Sequence, residues 1–375
     1  AIQDGAVTSA KIADGTIEME VVEQLGNRAR MVVSTGGLLR SRQGINLPSS
    51  MLSIQALTPK DLVDLDWTVG HPVEFVCLSF VRGPMDLQIL RRELASRSIN
   101  THVVAKIEKP QAVANLTSIL AATDAVMVAR GDLGVEIDPA RVPAIQKRVL
   151  SVCRVAGVPV ITATQMLTSM EQSPRPTRAE ANDVFNAVLD GTDAVLLSGE
   201  TAIGQYPIEA VRTMSRVCAE AESTMAGQAR WTGAGMGVLG AVEDLDAHAA
   251  HANLVSTSVP ASSLVRPITA SMVEAAALVA RRVDAALLVV STYSGRTALA
   301  VSKRRNWTPT LALASDLATA RRMALYWGVT PLSQVQGDTE REVLLQALAW
   351  SRQRDLVRSG DRVVVILGAN PGDPT

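Results

Sequence analysis

Three side chains in this sequence could together hold a hard cation and an anion: Lys106, Glu108 and Asp132. Lys106 lies two residues before Glu108 in "AKIEKP", so on an extended strand both point to one face. Asp132 follows the apolar run of "DAVMVARGDLGVEI". Carboxylates at the ends of neighbouring parallel strands, with room for water, suit Mg²⁺ (or Mn²⁺), which also takes substrate oxygens. A lysine inside such a fold is costly unless a carboxylate or an anionic substrate pairs with it. Plainer readings stand beside these. Glu108 caps a helix, Asp132 closes a turn as an N-cap, and Lys106 makes a purely structural ion pair with Glu108.

Further polar groups cluster at other strand ends. "ITATQM" and "LLSGET" supply Thr162, Thr164, Ser198, Glu200 and Thr201. Between them, "SPRPTRAEANDV" sets Arg175 and Arg178 around Pro176-Thr177, as a rigid clamp or as a ligand contact. "STYSGRTALA" follows a strand and opens a helix. It is an ordinary N-cap turn or an anion pocket of Ser291, Thr292, Ser294, Gly295, Arg296 and Thr297. His71, His102, His248 and His251 show no metal-ligand spacing.

The elements that must position these groups alternate. Strands are expected at Val73–Val81, His102–Ile107, Ala125–Ala129, Val158–Ala163 and Ala194–Leu197. Helices are expected at Pro84–Ser96, Gln111–Ala121, Val142–Ala156 and Arg178–Leu189. Such alternation means a parallel sheet with right-handed crossovers. Every strand ends in polar or charged residues, which favours a barrel mouth over a single switch point. The fold class is therefore α/β: a partial (β/α)8 TIM-barrel type with about five strands visible, a C-terminal α/β domain, and a small antiparallel β piece at the start. The expected boundaries are 1–45 for the β piece, 46–226 for the barrel, 227–266 for a Gly/Ala-rich linker, and 267–375 for the C-terminal α/β domain.

Composition excludes several classes. A formal net charge of -1 argues against binding nucleic acid or an anionic membrane surface. At 47% hydrophobic residues the chain can build a core and is not disordered. Cys77, Cys153 and Cys218 are far apart in apolar segments, as reduced core thiols of a cytoplasmic protein would be. No apolar run is long enough to cross a bilayer.

The blocks "AKIEKPQAVANL", "AVMVARGDLGVEI", "PVITATQMLTSM", "SRQGINLPS" and "PRPTRAEANDVFNAVLDGTDAVLLSGETAIGQYPIEAV" resemble pyruvate kinase from about Ala13 to Arg216, and more loosely beyond. The resemblance implies transfer of a phosphoryl group from phosphoenolpyruvate to ADP, giving pyruvate and ATP, then protonation of the enolpyruvate. It implies Lys106 at the transferring phosphoryl group and Glu108 and Asp132 as metal ligands. It places the backbone of Arg130, Gly131 and Asp132 at the substrate carboxylate, with Gly131 allowing close approach. Thr164 belongs to the proton-transfer step, and Ser198 and Glu200 to its relay. It makes residues 1–45 a remnant of the family's small β lid domain and 267–375 a regulatory-type domain, and it also implies a sugar-phosphate effector and a homotetramer.

The departures set further expectations. The family's first three barrel strands, most of its lid and its potassium loop have no counterpart here, so K⁺ dependence is expected only from the family. Gln43 stands where lysine is usual, and Thr168 where glutamate is usual. The chain by itself is expected to be unstable or inactive unless completed. The alternatives are a non-catalytic metabolite-binding protein of this fold, and another barrel enzyme acting on phosphoenolpyruvate or a similar acid.

Overall fold

The computed structural model describes residues 9–12, 15–26, 28–39, 44–47, 55–71, 73–231, 267–333 and 339–367. Gln43, His248, His251 and most of the expected linker lie outside the described residues. The chain divides into two compact units, residues 1–153 with 160–219, and 154–159 with 220–375.

The first unit opens with an antiparallel sheet of β1 (Ser9–Ile12), β2 (Ile17–Leu25), β3 (Arg28–Thr35) and β4 (Ile45–Asn46), in the order β3-β2-β1-β4. Gly15 and Gly26 take left-handed φ values of 87° and 60° at the turns, where a side chain would be strained.

Five parallel strands follow: β5 (Phe75–Leu78), β6 (His102–Ile107), β7 (Ala125–Ala129), β8 (Val160–Ala163) and β9 (Ala194–Leu196). Their spatial order is their sequence order. Strictly sequential pairing is the wall of a barrel, since a doubly wound sheet reverses direction at a switch point. The connecting helices are α1 (Pro59–Gly70), α2 (Pro84–Ser96), α3 (Pro110–Ala114), α4 (Leu116–Leu120), α5 (Arg130–Glu136), α6 (Val142–Ala156), α7 (Arg178–Leu189), α8 (Gly199–Ala202) and α9 (Pro207–Trp231).

Particular residues set these limits. The expected helix at Gln111–Ala121 is two short helices broken at Asn115, whose side chain donates to Arg82 O at 2.8 Å. Thr177 and Glu180 close a capping box at the start of α7.

Two copies of "TDA" anchor the foot of the wall. Asp124 accepts the Val103 amide at 2.8 Å, and Asp193 accepts the Val160 amide at 2.7 Å. The hydroxyls of Thr123 and Thr192 lie within hydrogen-bond distance of Val103 O and Val160 O. Each copy satisfies an amide at the start of the preceding strand of the wall and the carbonyl of the same residue, just before the ladder to the next strand begins. All five residues of β7 are buried. Cys153 is a core thiol as expected, but Cys77 is exposed because β5 is an outer strand of this sheet.

The second unit carries a four-stranded parallel sheet of β10 (Leu287–Thr292), β11 (Thr310–Ala314), β12 (Val329–Leu332) and β13 (Val363–Ile366), in the order β12-β11-β10-β13. Its helices are α10 (Pro267–Arg282), α11 (Arg296–Lys303), α12 (Leu317–Met323) and α13 (Glu340–Arg352). Leu287, Val289, Leu311 and Leu313 fill one face of this sheet, and Leu288 and Val290 pack on the other. The direction of strand addition reverses between β10 and β13, which opens a crevice at their carboxyl ends.

Candidate active site

Glu108 leaves the carboxyl end of β6 and is completely buried. Its Oε2 accepts the Phe80 amide at 2.6 Å. Its Oε1 lies 2.5 Å from Lys106 Nζ but outside good hydrogen-bond alignment, so the contact is an ion pair. Lys106 Nζ also donates to Ser79 Oγ at 3.0 Å. Burial pushes the Glu108 carboxyl up. The Lys106 ammonium and the Phe80 amide oppose that shift without cancelling it, and the Asp132 charge adds to it. The expected common face of Lys106 and Glu108 is therefore observed as direct contact.

Asp132 sits in the first turn of α5 with its side chain exposed. It makes no hydrogen bond or ion pair among the described residues. An exposed unpaired carboxylate beside a buried one whose Oε1 lacks an aligned donor fits a hard divalent cation. Among the described residues no group of three or more His, Cys, Asp or Glu converges on such a cation. Glu108 and Asp132 are the carboxylates at this strand end that could hold such a cation, with room for substrate oxygens and water.

Arg130 is buried, and its guanidinium faces the protein. It donates to Thr164 O at 2.8 Å, to Gln165 O at 3.1 Å and to Asp183 at 2.5 Å. This clamp holds the loop after β8, where Thr164 and Gln165 take left-handed φ values of 66° and 53°. A β-branched residue in that region is strained by roughly 1–3 kcal/mol, and its neighbours must hold it there. Thr164 Oγ1 accepts the Gly131 amide at 2.7 Å and donates to Ala163 O at 2.6 Å. The amide expected at a substrate carboxylate is thus engaged by Thr164. Gly131 is not in the left-handed region, and a Cβ there would meet Thr164 at an ordinary 3.5 Å. Its small size is therefore not demanded by the backbone.

Ser198 is exposed, and its amide donates to Glu200 Oε2 at 2.7 Å. Glu200 is buried, and its Oε1 accepts the Leu167 amide at 2.9 Å. Its carboxylate ties the loops after β8 and β9 together. Thr162 is buried against Thr192 at 3.0 Å, a packing role. Thr168 lies in a 3-10 turn, and the adjacent Ser169 is held by Glu180.

In the second unit, Ser291 and Thr292 end β10, Ser294 and Gly295 lie in the turn that follows, and Arg296 and Thr297 open α11. Gly295 has a φ of 80°, and its amide donates to Thr292 Oγ1 at 3.1 Å. Ser294 and Arg296 are exposed.

Sequence reasoning did not single out Ser79, Phe80, Lys109 or Glu136. Ser79 was legible as a polar residue at a strand end. Phe80 was not, because its contribution is a backbone amide at a left-handed φ of 54°.

Comparison with known proteins shows the family of the chain. Residues 2–211 match the family model "Pyruvate kinase, barrel domain", and residues 270–375 match "Pyruvate kinase, alpha/beta domain". The pyruvate kinase of Geobacillus stearothermophilus is 38% identical over 375 residues, covering 99% of this chain and 60% of that protein. Pyruvate kinase 2 of Synechocystis sp. is 39% identical over 362 residues, covering 96% of this chain and 56% of that protein. The crystal structure of a pyruvate kinase from Cryptosporidium parvum superposes with a TM-score of 0.82 at 33% identity, over 97% of this chain and 71% of that one. The chain spans about 60% of the length of the curated relatives it matches. With both family matches falling on the two parallel-stranded units, the chain belongs to the pyruvate kinase family.

Proposed function

We propose that this chain carries the phosphoryl-transfer centre of a pyruvate kinase, acting on phosphoenolpyruvate and ADP to give pyruvate and ATP. The observation that carries the reading is the contact between Lys106 and buried Glu108, with the free Asp132 carboxylate beside them. Phosphoryl transfer asks a protein for positioning and charge neutralisation more than for covalent chemistry.

Lys106 turns its ammonium from Glu108 toward the transferring phosphoryl oxygens. Glu108 and Asp132 would hold Mg²⁺ or Mn²⁺, which supplies positive charge to the phosphoryl and carboxylate oxygens when bound. The backbone at Arg130, Gly131 and Asp132 would receive the substrate carboxylate, the Gly131 amide giving up its bond to Thr164, and the Arg130 side chain keeps that turn and the Thr164 loop in register. Thr164 Oγ1 is the group placed for the proton that reaches the enolpyruvate carbon. Ser198 and Glu200 lie on its relay, and the Glu200 carboxylate, accepting the Ser198 and Leu167 amides, holds the loops after β9 and β8 together.

The same reading assigns the exposed Ser294 and Arg296, with Ser291, Thr292, Gly295 and Thr297, to a sugar-phosphate effector. The support is their place beside the crevice between β10 and β13. A cytoplasmic location, K⁺ dependence and a homotetramer complete the proposal by family membership. Cys77, Cys153 and Cys218 are thiols outside any disulfide, which supports the location. No described helix is long and apolar enough to cross a membrane.

The test is simultaneous measurement of pyruvate and ATP from phosphoenolpyruvate and ADP with Mg²⁺ and K⁺ present, in a preparation that completes the barrel. Equal amounts of the two products are expected. A preparation that binds phosphoenolpyruvate and Mn²⁺ yet forms neither product contradicts the reading in favour of a metabolite-binding protein.

A further inference from the structure

Behind the candidate centre lies a second charged pair that touches none of the proposed reacting groups. Lys109 Nζ is 2.5 Å from Glu136 Oε1, and the two side chains are 15% and 4% exposed. The same ammonium stands over the Phe80 ring, 5.3 Å from its centroid. Lys109 is the residue after Glu108, and Glu136 is one helical turn after Asp132, on the same side of α5. The pair therefore links the backbone that carries one proposed cation ligand to the helix that carries the other.

The Phe80 contact adds a second tie. Phe80 holds a left-handed φ, an uncommon state for an aromatic residue. That conformation aims its amide at Glu108 Oε2. The Lys109 ammonium over the ring is a favourable contact that keeps it there. The far end of α5 is fixed independently by Arg130. The helix is thus fastened at both ends, with Asp132 between the two fastenings.

A buried ion pair is weak evidence for a stabilising role, because desolvation offsets its Coulomb energy and apolar side chains often pack there equally well. What charge adds over apolar contact is a fixed separation. We propose that Lys109 is a positioning residue that, through Glu136 and Phe80, sets the distance between the Glu108 and Asp132 carboxylates and so the affinity for a divalent cation. The inference rests on the reading of Glu108 and Asp132 as cation ligands.

The test is titration of the whole chain with Mn²⁺, followed by the electron paramagnetic resonance signal of the free ion, with thermal unfolding recorded in parallel. The double variant Lys109→Met/Glu136→Met leaves no unpaired buried charge. It is expected to weaken Mn²⁺ binding about tenfold with little change in unfolding temperature, a loss of ~1.4 kcal/mol. Lys109→Arg keeps the charge and the Phe80 contact and is expected to retain most of the affinity. Phe80→Leu removes the ring alone and is expected to weaken binding severalfold, which keeps the test open should the double variant not fold. Wild-type affinity in both the double variant and Phe80→Leu, with binding abolished in Glu108→Gln, overturns the inference and leaves the proposed function standing. A wild-type chain that binds no Mn²⁺ overturns both.

Discussion

Lys106 and Glu108 stand two residues apart on β6, yet they differ sharply in exposure, 22% against 0% of the side chain, while their charges lie 2.5 Å apart. The carboxylate is fixed by the Phe80 amide, and the ammonium faces outward from it. Glu108 is therefore the buried anchor and Lys106 the accessible group. Lys106→Met is expected to leave an uncompensated buried carboxylate and lower stability by about 3 kcal/mol. The double variant Lys106→Met/Glu108→Leu is expected to recover most of that loss. Urea denaturation of both variants checks this.

Gly199 and Gly204 look alike in "SGETAIGQ" but differ in what surrounds them. A Cβ on Gly204 would lie 2.6 Å from the Glu200 carbonyl oxygen, which is backbone and cannot move freely. One on Gly199 would meet the carboxylate end of Glu171, which can swing away. Gly204→Ala is expected to cost about 1–3 kcal/mol, the range for an overpacked site, and Gly199→Ala clearly less. Chemical denaturation midpoints of the two variants separate these outcomes.

Glu180 ties the Ser169 turn to the start of α7. Burial raises its carboxyl, but hydrogen bonds from Ser169 and Thr177 outweigh that and hold it below the usual carboxylate range. A carboxyl lowered on folding stabilises the folded state above its unfolded value. That stability is lost as pH falls through the folded value. Wild-type stability is therefore expected to drop as pH falls below about 4.3, the ordinary glutamate value. Glu180→Gln should be less stable at pH 7 and show a shallower acid slope. Thermal unfolding from pH 7 to pH 3 tests both points.

The "TDA" anchors predict a loss at the foot of the wall, remote from the proposed chemistry. Asp124 accepts the Val103 amide and also pairs with Arg91 at 2.7 Å. Asp124→Ala strands a buried amide, at an expected cost of about 1–3 kcal/mol. Once folded, the variant is expected to keep the Mn²⁺ affinity of the wild type. Denaturation and Mn²⁺ titration of the same preparation check the two halves.

Much of the wall was legible because local and tertiary signals agree. His102–Ile107 and Ala125–Ala129 are apolar runs bounded by turns, and Val142–Ala156 and Arg178–Leu189 carry helical periodicity; all four match the expected limits. β12 was not legible. It contains Pro331, which argues against a strand interior and is tolerated because β12 is an edge strand. Lys106, Glu108 and Asp132 were legible from type and spacing. The two roles of Arg130 and Thr164 were not, because a hydrogen bond from Gly131 to Thr164 is a property of two loops brought together by the sheet. Lys109 and Glu136 were hidden for the same reason, since a pair 27 residues apart has no local signature.

The most direct test of the central claim is the rate of pyruvate formation from phosphoenolpyruvate and ADP, in a preparation that completes the barrel, by the wild type and by Lys106→Met. Removing a donor aimed at developing phosphoryl charge is expected to lower that rate by about 10²–10³-fold. An unchanged rate would contradict the assignment of Lys106 and, with it, the phosphoryl-transfer centre proposed here.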